Sequence, residues 1–136
     1  MNELAMGWIH GAEELSELPE SIMELQQLTL LEVHACSLTH IPEGIGAITR
    51  LCKLNLADCK ALERLLASLT SLSCMTELDL ASTLIDSLPP DFVRLAGLRC
   101  LILDGCWQLR ALPWDMAELK MLLYLGVKRC KQMLDC

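Results

Sequence analysis

Apolar residues along this chain follow neither a strict alternation nor a single helical stripe, but a compound pattern that returns every 23 or 24 residues. From Leu28 the pattern runs Leu31, Val33, Cys36, Leu38, Ile41, Ile45 and Ile48, with Pro42 inside it, and Leu51 opens the next unit. The same order recurs from Leu51, Met75, Leu98 and Leu122, and more loosely from Leu4. Units therefore span 4–27, 28–50, 51–74, 75–97 and 98–121, with a partial unit at 122–136. The alternation that opens each unit predicts a short strand: Leu54 and Leu56 point inward, and Lys53, Asn55 and Ala57 point outward. Farther on, Pro19, Pro42, Pro89 and Pro113 each open a segment with i, i+3 apolar spacing, which predicts a short helical turn with one face on the core. Unit 51–74 has Leu66 in place of that proline, inside the run LERLLASLTSL. A fuller helical turn is one reading of that run; ordinary repeat variation is the preferred one.

Composition narrows the class. Leucine fills 31 of 136 positions, and the chain is 53% hydrophobic but only 4% aromatic. It is too apolar for a disordered chain and too poor in aromatic residues for a sandwich or barrel. Every leucine-rich stretch is broken within a few residues by Glu, Asp, Lys, Arg or Ser, so no membrane span is expected and no membrane partner. The opening MNELAMGWIHGA lacks the basic start, apolar run and cleavage site of a signal peptide, so a cytoplasmic chain with free thiols is expected. A net charge of -7 argues against a nucleic-acid partner. The eight cysteines include no CxxC, and His10, His34 and His40 lie toward one end, so no metal is expected. No GxxxxGK, GxGxxG or HExxH is present, and no cofactor is expected.

The pattern LxxLxLxxC followed by xL or xxL and then xxLPxxIxxL resembles the leucine-rich repeat over essentially the whole chain. The segments LNLADCKALERL and LILDGCWQLRALPWDM are similar to repeats of plant intracellular disease-resistance receptors, whereas IPEGIGAITRL and LPPDFVRLAGL are also similar to Ras-pathway leucine-rich repeat scaffolds. The resemblance implies an α/β, right-handed solenoid with a parallel concave sheet and short helical or irregular convex segments. It implies a protein-interaction module. In the first subfamily the complete protein would carry a nucleotide-binding switch domain; in the second, the repeats would hold a small GTPase or phosphatase. A structural remnant with no ligand is a third reading.

Within such a solenoid the cysteine of each unit closes the turn after the strand, where inward carbonyls need a donor and a small thiol fits. Cys36, Cys59, Cys106 and Cys130 hold that place, Thr83 brings a hydroxyl to it, and Ala12 brings nothing. These thiols are read as structural rather than as metal or redox groups.

Ligand recognition is expected on the outward strand positions, which the scaffold fixes while leaving their identity free. The register gives Trp8 and His10; Glu32 and His34; Lys53, Asn55 and Asp58; Glu77, Asp79 and Ser82; Ile102 and Asp104; Tyr124, Lys128 and Arg129. Its middle is acidic and suits a protein partner with a basic patch, while Trp8 and Tyr124 are candidate anchors. Trp107 and Trp114 are expected to be partly buried against the next unit. Catalysis is not expected: the concave thiol Cys100 is two or more strands from His34, and Glu77 and Asp79 face an open surface rather than a pocket. Neither end shows a convincing polar cap, so a piece of a longer array is expected, one that self-associates through its C-terminal edge.

Overall fold

The computed structural model describes residues 6–9, 18, 20–33 and 37–135. Six short strands follow one another: β1 (Met6–Ile9), β2 (Leu30–Val33), β3 (Lys53–Asn55), β4 (Glu77–Asp79), β5 (Cys100–Ile102) and β6 (Tyr124–Gly126). They form one parallel sheet in the order of the chain, each strand pairing only with its sequence neighbours. The register advances by one unit per strand, so Leu31, Leu54, Leu78, Leu101 and Leu125 stand side by side. This is the stack that the 23- and 24-residue period predicts, because one unit's strand completes its hydrogen bonds only on its neighbours.

The core is one apolar cluster, mostly leucine, built of parallel columns behind the sheet. Leu28, Leu51, Met75 and Leu98 open the units and are buried, as are Val33, Leu56, Leu80 and Leu103. Each fully buried leucine side chain stabilises the stack by about 1.5–3 kcal/mol relative to exposure. The convex side returns through 3-10 turns at Glu20–Glu24, Glu43–Ala47, Ala67–Ser71, Phe92–Arg94, Met116–Glu118 and Lys131–Asp135. The run LERLLASLTSL makes no fuller helix: its turn has five residues, like that at Glu43–Ala47. Leu66 enters it extended, at φ -85 and ψ 153, close to the φ -57 and ψ 145 of Pro42, and the proline is therefore replaceable. Leu69 fills the core there as Ile45 does one unit earlier.

Two expectations change. Trp114 is 92% exposed, because it follows Pro113 on the outward side of the convex segment and no neighbouring unit reaches it; Trp107, at 47%, is about half covered. Asp58, Ser82 and Arg129 are not strand residues. They lie in the turn after the strand in the left-handed region, with φ of 62, 58 and 62, and Gly105 holds the equivalent place at φ 77.

A column of varied side chains on the concave face

The turn after each strand is where the backbone must leave the sheet, and sulfur and oxygen donors hold it. Cys59 donates its thiol to the Val33 carbonyl at 3.0 Å, Cys106 to Leu80 at 3.0 Å and Cys130 to Leu103 at 3.0 Å. Each bond links a unit to the one before it, so the thiols act as the predicted ladder. Thr83 differs: its hydroxyl donates within its own unit to Leu80 at 2.9 Å and lies 3.5 Å from the Cys106 sulfur. Burial pushes the Cys106 thiol above its ordinary value, against the lowering effect of Thr83, and burial also raises Cys130. Cys36 and Ala12 lie outside the described residues.

With the turns pinned, the outward strand positions form two columns. One runs Leu30, Lys53, Glu77, Cys100 and Tyr124; the other runs Glu32, Asn55, Asp79, Ile102 and Gly126. Successive members are about 4.8 Å apart, the strand spacing. Glu32, Lys53, Asn55, Glu77, Asp79, Cys100 and Ile102 all line one open depression of about 230 Å³. Lys53 pairs with Glu77 at 3.5 Å, and with both side chains half exposed the pair stabilises little. Its main consequence is to neutralise the cation of the depression, which leaves the middle acidic.

Beyond β4 the chemistry changes. Cys100, Ile102 and Tyr124 make the C-terminal part of the face apolar, and Tyr124 stays 46% exposed. Gly126 makes room there: a Cβ on it would lie 2.8 Å from Asp104 Oδ1 and 3.1 Å from the Tyr124 ring. Burial, followed by the charges of Glu77 and Asp79, raises the Cys100 thiol, so it stays protonated near neutral pH, the opposite of what a nucleophile needs. Among the described residues no three His, Cys, Asp or Glu side chains group as a metal site.

Several candidates have structural work that their sequence did not announce. Asn55 Oδ1 accepts the Ala57 N–H at 2.9 Å, and Asp79 Oδ1 accepts the Ala81 N–H at 3.0 Å, each turning the chain two residues on. Asp104 Oδ1 accepts the Lys128 N–H of the following unit at 2.9 Å. The signal was an Asx residue ending the strand just before a left-handed turn. Asp58, Lys128 and Arg129 are exposed, in the turns that follow β3 and β6. Trp8 lies on β1, in register with Glu32, while His10 and His34 fall outside the described residues. A second depression, on the flank of the units, gathers Glu63, Arg64, Asp86 and Arg110, which outward strand reasoning could not find because they follow the ladder turn.

No family model matches the chain. Its structure superposes on a leucine-rich repeat protein of Leptospira interrogans with a TM-score of 0.73 and 27% identity, over 79% of this chain and 27% of that one. The chain has the leucine-rich repeat fold. An internalin of Listeria monocytogenes shares the fold at a TM-score of 0.57, with 19% identity over 91% of this chain and 35% of that one. By sequence the repeats are similar to those of Arabidopsis thaliana disease resistance proteins. One is 33% identical over 129 residues, and disease resistance protein RPS6 is 30% identical over 120. These matches span 92% and 88% of the leucine-rich repeat chain but only 11% and 10% of those relatives. Among the described residues, no helix of the chain is long and apolar enough to cross a membrane.

Proposed function

We propose that this leucine-rich repeat chain is a protein-interaction module whose concave face binds a protein segment carrying basic residues beside a bulky apolar one. One observation carries the reading: the core column repeats Leu31, Leu54, Leu78, Leu101 and Leu125, while the neighbouring outward column reads Leu30, Lys53, Glu77, Cys100 and Tyr124. A scaffold that fixes position and varies identity is how a stack of repeats presents a recognition surface. The acidic middle at Glu32 and Asp79 suits cationic side chains and speeds encounter. Ile102 and Tyr124 suit an apolar anchor, since aromatic residues concentrate binding energy.

Similarity to disease resistance proteins favours the recognition part of an immune receptor over a Ras-pathway scaffold, which draws only on the shorter IPEGI and LPPDF units. A P-loop module in the same reading frame would support that assignment, and its absence from the complete gene would remove it. A cytoplasmic location suits the free cysteines, three of which are built into the buried ladder. The reading is non-catalytic. Selection from a random peptide library on the immobilised chain tests the face: the expected winners carry Lys or Arg next to an aromatic or large aliphatic residue. Enrichment of acidic peptides, or no enrichment at all, would contradict it.

A further inference from the structure

Resting on the concave-face function proposed for this chain, we propose that the face reads an extended segment lying across the strands, with an apolar side chain at each end, four residues apart, and a Lys or Arg midway between them. Leu30 supplies the second apolar end. It takes an outward position on β2, is half-buried, and lines the same depression as Cys100 and Ile102 of β5. The register runs Leu30, Lys53, Glu77 and Cys100, so the two ends lie three strand steps, roughly 14 Å, apart. All of these residues sit on β2 to β5, and each of those strands is paired on both sides. The depression also holds three carboxylates, Glu32, Glu77 and Asp79, against one ammonium, Lys53. Because Lys53 pairs with Glu77, the surplus negative charge falls to Glu32 and Asp79. Asp79 stands on β4, close to the midpoint, and its carboxylate is held in place by the Ala81 N–H at 3.0 Å. Burial, followed by the charges of Glu77 and Asp79, raises the Cys100 thiol, so the β5 end feels the negative potential yet stays neutral itself.

The spacing follows from the geometry of an extended chain. Such a chain rises about 3.3 Å per residue and sends alternate side chains to one side, so residues i, i+2 and i+4 all face the sheet and span about 13 Å. That span matches the three strand steps: the outer two side chains meet Leu30 and the Cys100 and Ile102 pair, and the middle one falls beside Asp79. A spacing of three residues turns one apolar side chain away from the sheet. A helix fits less well, since it is about 10–12 Å across and a matching length of it displaces ~1,000 Å³. The depression encloses only about 230 Å³, which suits single side chains delivered from a narrow backbone. The motif reads the same in both chain directions, so the polarity of the segment does not alter it.

Three peptide libraries of equal length, displayed against the immobilised full chain, test this. The first fixes apolar-x-basic-x-apolar, the second sets the two apolar residues three apart, and the third sets them roughly ten apart, as a helix would need. The first library is expected to be retained about tenfold better than the others, because a misplaced end forfeits one buried apolar side chain. Peptides selected on Leu30→Thr or on Ile102→Thr are expected to keep the basic residue and one apolar residue and to lose the other. Threonine keeps the strand preference of those outward positions, and the comparison of libraries on the wild type stands by itself should a variant not fold. Equal retention of all three libraries would overturn the spacing while leaving recognition of basic segments intact. Retention of the third library alone would overturn the extended segment, and variants that still select both apolar residues would overturn the two named ends. Retention of none of the three above an acidic control library would overturn the underlying concave-face function as well.

Discussion

At the scale of single residues, the ladder thiols decide whether units stay in register. Cys59 is completely buried and its sulfur holds the Val33 carbonyl of the preceding unit. Cys59→Asp would put an unpaired charge there, at a cost of about 3–5 kcal/mol, and the cooperative thermal transition in circular dichroism should disappear. The thiols also set a pH dependence. Burial holds Cys106 and Cys130 above the ordinary 9.0, so the folded state keeps neutral thiols while the unfolded chain ionises first. Stability from this source is fully present below about pH 9 and is lost as pH climbs toward the raised folded-state values. The melting temperature should therefore fall on the alkaline side, and Cys106→Ser should make that fall shallower. An unchanged profile in the serine variant would show that the ladder thiol does not couple to folding.

At the scale of the element, strand and return segment were legible because each rests on one dominant cause. Leucines two apart, as at Leu54 and Leu56, made the strand; apolar residues three apart around Ile45 and Ile48 made the convex turn. What the pattern hid was polar work. Asn55 and Asp79 look like free groove residues, yet each holds the turn after its strand, and no hydrophobic period marks such a bond. Trp114 departs from the burial that a large apolar side chain usually signals, because its position after Pro113 turns it to solvent. The turn itself gives a prediction. Gly105 sits at φ 77, and a Cβ there would lie 2.8 Å from Ser82 Oγ of the preceding unit. Gly105→Ala should cost about 1 kcal/mol, measured by denaturant unfolding, because the left-handed turn and the neighbour both resist it. A stabilised variant would mean that the units are less tightly stacked than this contact implies.

At the scale of the whole molecule, a stack of near-identical units separates stability from recognition: the leucine column holds the shape, and the outward columns carry the chemistry. Any test of the acidic groove must respect that separation. Reversing Asp79 or Asp104 to Lys would remove a turn acceptor as well as a charge, so it would confuse binding with folding. Asp79→Asn keeps the acceptor, as Asn55 already does one strand away, and Glu77→Gln removes the neighbouring charge. The deciding measurement is titration of a library-selected basic peptide onto the wild-type chain and the Glu77→Gln, Asp79→Asn double variant, at low and high salt. The double variant should melt within about 1 kcal/mol of wild type, bind roughly tenfold more weakly and lose most of the salt dependence. Equal affinity and equal salt dependence in the two proteins would contradict recognition through the acidic concave face.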